Sequence, residues 1–419
     1  MKRVLILCDL FPPAFAPRMG YLCKYMKRAG WQPVVVTEEI PENMFAFLAN
    51  NVPVTYIRYF HLQHTFLRKI EWMTIFLLDF FFHYKDRKMA KVANKLLQKE
   101  NFDAVLCCTY RTFPLPAALH VAKKHHLPLI ADLRDIIEQY AGNEYISKPF
   151  HSFRWLDKLI VRIYRCHLLR NRNRVLREAT CVTTVSPWHV QTLASYNPNV
   201  RLIYNGYDPE LFYPEHPKTP RFLLTYTGRI LSLGIRDPRP LFEAVRKLDE
   251  EKHIDPQQFC MVWYIDEHSR CLLEQETRIY HVENYMEYHP YVDADKIPDI
   301  LHHSSILLQI ANKCDDKGPK GIMSTKLFEA MATEKPLLCV RSDESYLEQT
   351  IRETRTGTSA RTAEEAYRFI KEQYQIWKQQ GFTSVVPNRE AVERFSRSKQ
   401  AEQFMRLITE LTNNELKKD

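Results

Sequence analysis

The chain has 419 residues, 45% hydrophobic and 26% charged, with 59 Lys plus Arg against 50 Asp plus Glu for a net charge of +9. That length exceeds one compact core and suits two domains of about 200 residues each, and no long segment joins low hydrophobicity to a single sign of charge, which excludes a disordered chain. The positive balance favours an anionic partner: a nucleotide diphosphate, a membrane surface or a nucleic acid.

Met1-Lys2-Arg3 leads into an apolar run, residues 4–8, that stops at Asp9 with no small-residue cleavage site. It reads as a first strand and not as a signal peptide. β-rich runs then alternate with helical patterns: a helix over 21–29, strands over 33–37 and 54–57, a strand over 104–108, a helix over 116–125 and a strand over 127–131. Strands over 181–185 and 201–204 follow a long helical region. This rhythm predicts a parallel sheet with helices on both faces. The most apolar stretch, 72–84, is interrupted by Asp79 and falls short of the roughly 20 residues that span a bilayer.

Pro209, Pro214, Pro217 and Pro220 mark an aperiodic joint, which puts the boundary between lobes in residues 205–220. The rhythm then restarts, with strands over 222–226, 259–264, 285–289, 305–310 and 336–340. Helices over 240–250, 295–303, 325–333 and 363–379 accompany them. The expectation is an α/β protein of two Rossmann-like lobes, 1–207 and 208–387, with a C-terminal helix at about 388–419 packing back on the first lobe. Ten cysteines show no C-x-x-C pair, and Cys8, Cys107, Cys181 and Cys339 lie in strand-like runs. A reducing cytoplasm fits.

In open α/β sheets ligands sit outside the carboxyl ends of the strands, so the loops found there carry the candidate chemistry. After the first strand, Asp9-Leu10-Phe11-Pro12-Pro13-Ala14-Phe15-Ala16-Pro17-Arg18-Met19-Gly20 is a long loop stiffened by three prolines. It offers Arg18 and a helix start at Gly20 to an anion; the alternative is a stiff surface loop. Asp132-Leu133-Arg134-Asp135 puts three charges at a strand end, which is costly unless they are paired or used. Either they form a structural ion pair, or Arg134 and Asp135 face the transferred sugar or the acceptor hydroxyl, whose proton a carboxylate can take. Thr227-Gly228-Arg229 follows a strand of the second lobe and offers a guanidinium to phosphate oxygens.

The densest constellation runs from Lys317 to Ala332: a basic, Gly-containing loop (Lys317, Gly318, Pro319, Lys320, Gly321), then Ser324 and Thr325 as caps of a helix carrying Lys326 and Glu329. Free N–H groups at that helix start and the lysines suit a diphosphate, and Glu329 suits ribose hydroxyls. The alternative is an ordinary capped helix with Lys326 and Glu329 solvated at i, i+3. Asp315-Asp316 lacks a third acid or a His, so no metal site is expected there. From His151 to Arg177, Arg154, Lys158, Arg162 and Arg165 fall on one helical face and Leu156, Leu159, Ile160 and Ile163 on the opposite one. Together with the aromatic run 72–82, this patterning suits a membrane interface, or else two core-facing helices.

Several of these segments in series resemble the retaining glycosyltransferases of family 4, with the GT-B fold, found in bacterial surface-polysaccharide synthesis. They are Phe11-Pro12-Pro13, Phe102-Asp103-Ala104-Val105, Asp132-Leu133-Arg134-Asp135, and Ile203-Tyr204-Asn205-Gly206-Tyr207-Asp208 with Phe212 and Pro214. Tyr226-Thr227-Gly228-Arg229 and Lys326-Leu327-Phe328-Glu329-Ala330-Met331-Ala332 with Lys335-Pro336 complete the series. The resemblance implies two lobes facing across a cleft, a nucleotide sugar held chiefly by the second and an acceptor by the first, with retention and no required metal or other cofactor. It places the ribose-binding Glu at Glu329 and the phosphate-binding Arg at Arg229. Three departures accompany it: Gly321 stands where a second Glu is frequent, no Lys follows Arg229 among residues 230–235 so that Lys326 or Arg236 supplies the charge, and Arg134 stands where many members have a His.

The expected activity is hexosyl transfer to a hydroxyl of a glycan or polyprenyl-linked saccharide in capsule or O-antigen synthesis. The expected location is cytoplasmic and peripheral on the inner face of the plasma membrane. Arg229 and Lys326 would stabilise the leaving diphosphate, with Arg134 and Asp135 lining the reaction centre. Alternatives are a sugar-nucleotide epimerase of the same fold and a degenerate sugar-binding or scaffold subunit. A nucleic-acid partner is not expected, because the motifs lie at strand ends and not along one basic face.

Overall fold

The computed structural model describes residues 1–62, 64–140, 154–312 and 320–415. The chain divides into two compact units, one of Met1–Tyr204 with Ala401–Asp419, the other of Asn205–Gln400.

In the first unit, strands β1 (Arg3–Cys8), β2 (Gln32–Glu38), β3 (Val54–Ile57), β4 (Ala104–Thr109), β5 (Leu129–Leu133), β6 (Cys181–Thr184) and β7 (Val200–Leu202) form one sheet in the order β3-β2-β1-β4-β5-β6-β7. Every pairing is parallel. Strands covered by helices on both faces need apolar side chains on both, which is why Val4, Leu5, Ile6, Leu7 and Cys8 are all buried in succession. One face packs Leu5, Leu7, Val105 and Leu133 against the helices Tyr84–Leu97 and Leu115–Lys124. The other packs Val4, Ile6 and Cys8 against the helix Pro17–Arg28 and against Ala401, Phe404, Leu407, Ile408 and Leu411 of the terminal helix Arg397–Glu415.

In the second unit, β8 (Phe222–Thr227), β9 (Phe259–Tyr264), β10 (Met286–His289), β11 (Ile306–Ile310), β12 (Leu337–Val340) and β13 (Gly357–Ala360) are ordered β10-β9-β8-β11-β12-β13, again all parallel. Its core joins Phe222, Trp263, Ile306 and Leu338 to Leu241, Phe242 and Val245 of the helix Arg239–Glu250 and to Tyr374 and Trp377 of the helix Ala363–Gln380. Each sheet therefore reverses its strand order beside its first strand, between β1 and β4 and between β8 and β11. That reversal opens a crevice at the carboxyl ends, where side chains from two loops converge. The parallel α/β architecture expected from the alternating runs is what the chain adopts.

Two helices, Thr65–Phe82 and Arg154–Glu178, precede β4 and β6 respectively. Lys158, Leu159, Arg162 and Ile163 are all exposed, so the separation of cations from apolar residues expected for the second helix does not hold: they share its outer face. Among the described residues no helix is long and apolar enough to cross a membrane.

Candidate functional site

At the second unit's strand reversal, the chain leaves β8 through Gly228, and a side chain there would put its Cβ 2.0 Å from Lys326 Nζ. The ammonium thus occupies the room glycine leaves. Lys326 and Glu329 project from the short helix Thr325–Ala332, whose other side buries Leu327, Phe328, Ala330 and Met331. Arg236 joins them from the loop after β8, donating from Nε to Asn312 Oδ1 at 3.1 Å and from Nη1 to the Arg229 carbonyl at 2.5 Å. Asn312 follows β11, so both sides of the reversal contribute.

Burial, and then the Arg236 guanidinium, push the Lys326 ammonium down to about 7. Burial pushes the Glu329 carboxyl up to about 7 against the pull of Arg397 and Lys326. Two neighbouring cations that repel each other, beside a carboxyl starved of water, form a site whose electrostatics improve when an anion arrives. Ser324 is the residue before the helix, with an extended backbone, and its side chain makes no capping hydrogen bond. Its Oγ is buried with no partner among the described residues. An orphaned hydroxyl, a helix start with unsatisfied N–H groups and two cations fit a diphosphate. Thr325 opens the helix beside them.

Arg229 takes a different course. It is 62% exposed and donates from Nε to Asp266 Oδ2 at 2.8 Å. Asp266 also accepts from the Ser269 N–H and from Tyr291 Oη, and so holds Arg229 at the start of the helix Glu267–Tyr280. The structure brings Gly228, Lys326, Arg236 and Glu329 together and turns the Arg229 side chain to Asp266. Gly321 has φ +66°, and a Cβ there would meet Tyr346 Cβ at 2.6 Å. Its N–H donates at 2.9 Å to Asp343, a buried carboxylate that also accepts from the N–H groups of Ser345, Leu347 and Glu348. No side chain fits at 321, which accounts for the absence of an acid there. Lys317, Gly318, Pro319, Asp315, Asp316 and His151 lie outside the described residues.

In the first unit, Arg134 Nη2 donates to both oxygens of Asp9, at 3.1 Å each. Burial raises the Asp9 carboxyl while Arg134 draws it down. Asp135 is raised by burial and eased by Gln139, whose Nε2 donates to it at 2.7 Å. Gln139 Oε1 in turn faces His189 Nε2 at 2.8 Å, and His189 Nδ1 faces Thr184 Oγ1 at 3.0 Å. Burial holds His189 down at about 3, which favours the neutral ring. The arrangement leaves Asp135 a carboxyl with elevated proton affinity on a fixed support, which suits proton transfer.

Arg18 and Gly20, expected beside an anion, lie in the packing of the first unit. Arg18 is 3% exposed and clamps Asp132 bidentately, Nε to Oδ2 and Nη2 to Oδ1 at 2.8 Å each, with further bonds to the carbonyls of Ile203 and Tyr204. Burial alone would raise Asp132, and Arg18 and Thr183 overcome it. Its guanidinium joins β5 to the end of β7. Gly20 lies inside the helix Pro17–Arg28, where a Cβ would fall 2.7 Å from Pro12 Cγ and 3.0 Å from Leu48 Cδ1, so its bareness serves packing of the proline loop. Neither role was legible, because Asp132 and Pro12 are neighbours only in the fold. The signal missed for Asp343 was available: it follows a strand end, as do Asp9, Arg134 and Gly228.

Residues 18–211 match the model of Glycosyltransferase Family 4. No protein among the curated ones matches the chain. Solved structures share the fold at low identity. A glycosyltransferase from Rickettsia africae is 15% identical with TM-score 0.63, over 99% of each chain. HepE of Anabaena, in complex with UDP and glucose, is 14% identical with TM-score 0.62, over 98% of this chain and 100% of its own. A Listeria monocytogenes protein described as a UDP-N-acetylglucosamine 2-epimerase is 14% identical with TM-score 0.55, over 97% and 95%.

Proposed function

From a chain of the family 4 glycosyltransferase type with the GT-B fold, we propose that this protein moves a hexosyl group from a nucleoside diphosphate sugar to a hydroxyl of a glycan or polyprenyl-linked saccharide. The observation that carries the reading is the pairing of Lys326 with Arg236 over Gly228, next to Glu329, at the second unit's strand reversal. Lys326 and Arg236 receive the diphosphate and stabilise it as it leaves, supplying the counter-charge that a divalent metal supplies elsewhere. Ser324 Oγ and the N–H groups of the helix start donate to its oxygens. Glu329 accepts from the ribose hydroxyls. Arg229, held by Asp266, adds a longer-range positive field.

In the first unit Asp135 takes the acceptor's proton and Arg134 keeps Asp9 neutralised beside it. Retention of configuration, a metal-free reaction, a role in surface-polysaccharide synthesis and work at the inner face of the plasma membrane complete the reading. That UDP occupies HepE supports a uridine nucleotide as the first donor to try.

A thermal-shift series against nucleotide sugars tests it. A true donor at a hundredfold its Kd stabilises the protein by about 2.7 kcal/mol, and the shift at the same donor concentration should shrink in Lys326→Met. An epimerase of the same fold would consume the nucleotide sugar with no acceptor present, so donor turnover without acceptor would count against transfer.

A further inference from the structure

The helix Thr65–Phe82 buries a single side chain fully, Ile75. At 100° per residue Phe66, Leu67, Ile70, Met73, Leu77 and Phe81 fill one arc of roughly 120°, and all six are exposed, Phe66 and Phe81 at 65%. Thr74, within the arc, returns its hydroxyl to the Ile70 carbonyl at 2.9 Å. The helix's two acids are engaged elsewhere: Glu71 accepts from the N–H groups of His61 and Leu62, and Asp79 from that of Lys85. On the inner side Phe76 and Phe80 lie against Tyr164 and His167 of the helix Arg154–Glu178, with ring centroids 5.4 and 4.3 Å apart.

That second helix has its own exposed apolar stripe, Trp155 (67%), Leu159 and Ile163 at i, i+4 and i+8. Lys158 and Arg162, both exposed, run beside it. An apolar area this wide on a water-soluble surface marks a docking site. The chemistry of the occupant follows from the charges: the cores of protein–protein interfaces are depleted of lysine, whereas cations beside an apolar stripe suit phosphate headgroups above acyl chains.

We propose that the outer faces of these two helices dock the chain on an anionic lipid bilayer, with Phe66, Ile70, Phe81 and Trp155 entering the acyl boundary and Lys158 and Arg162 meeting headgroup phosphates. This rests on the membrane-peripheral part of the functional reading and names the surface that performs it.

The full chain is sedimented with vesicles of phosphatidylcholine alone and of phosphatidylcholine with phosphatidylglycerol, and nucleotide-sugar binding is measured on the same preparations. Binding is expected to the mixed vesicles and to weaken with salt. Phe66→Ser/Ile70→Ser/Phe81→Ser should abolish it with no loss of thermal stability, since these side chains are exposed. Lys158→Gln/Arg162→Gln should weaken it about thirtyfold, as two basic residues near such a surface imply. Absence of binding to either vesicle would overturn the proposal, as would a concentration-dependent dimer that the serine variant dissolves. Lipid binding without nucleotide-sugar binding would count against the donor reading and leave this one standing.

Discussion

Nucleotide-sugar binding is expected to draw protons in at pH 8 and expel them at pH 6. In the free protein burial, and then Arg236, hold Lys326 at about 7, and burial holds Glu329 at about 7. A diphosphate beside Nζ favours the ammonium, and ribose hydroxyls donating to Glu329 favour the carboxylate. At pH 8 Lys326 is about nine-tenths neutral and Glu329 about nine-tenths ionised, so binding takes up roughly 0.9 proton at the lysine and releases little from the glutamate. At pH 6 the populations invert and roughly 0.9 proton leaves Glu329. Affinity is therefore highest near pH 7 and falls away on both sides, approaching tenfold, or about 1.4 kcal/mol, per pH unit beyond the flanks. The diester phosphates of a nucleotide sugar stay ionised throughout, so the ligand adds no protons of its own. Calorimetric titrations in two buffers of different ionisation heat measure the proton count. Lys326→Met should erase the uptake at pH 8 and spare the release at pH 6. A proton count of one sign at both pH values, or none at either, would refute the reasoning.

Four further outcomes follow from the same geometry. Glu329→Ala should weaken nucleotide-sugar affinity about tenfold or more, the scale of a hydrogen bond to a charged group, with the melting temperature unchanged; unaltered affinity by calorimetry would remove Glu329 from the site. Arg18→Met leaves Asp132 buried and unpaired and should cost about 3–5 kcal/mol in denaturant unfolding, whereas a fully stable variant that had lost nucleotide binding would restore Arg18 as a ligand. Gly321→Glu must strain a left-handed backbone and displace Tyr346, so it should destabilise the protein by about 1–3 kcal/mol and gain no activity. Gln139→Met removes the hydrogen bond that lowers Asp135, so the acid limb of the pH–rate profile should move to higher pH; an unmoved limb would take Asp135 out of the proton transfer.

The parallel sheets were readable because their strands are buried on both faces, and runs such as Val4–Cys8 or Phe259–Tyr264 have no polar alternation to blur them. Strand β13 was not: Gly-Thr-Ser-Ala sits at the sheet edge, and Gly357 is required because a Cβ would meet the Leu337 carbonyl at 1.9 Å. The helix Glu267–Tyr280 also escaped, although Asp266 caps it through the Ser269 N–H. The Lys326 and Glu329 pair was legible because the two lie one turn apart on a helix that follows a basic, Gly-containing loop in the sequence. Arg18 and Arg229 looked equally available to an anion in the sequence. The difference between them is set by Asp132, 114 positions from Arg18, and by Asp266, 37 positions from Arg229. Long-range ion pairs of that kind leave no local signature. The apolar run 72–82 showed its composition but not which face it exposes, since that depends on Tyr164 and His167 packing against Phe76 and Phe80.

The central claim is sugar transfer from a nucleotide donor held by Lys326. The most direct measurement supplies the purified chain with sugar-labelled nucleotide donors, identified by thermal shift, and a polyprenyl-linked saccharide fraction, and follows label into the lipid phase. Label should appear there with release of the nucleoside diphosphate in equal amount, and should disappear in Lys326→Met while the fold persists. Label transfer undiminished in that variant, or donor consumed with none reaching an acceptor, would contradict it.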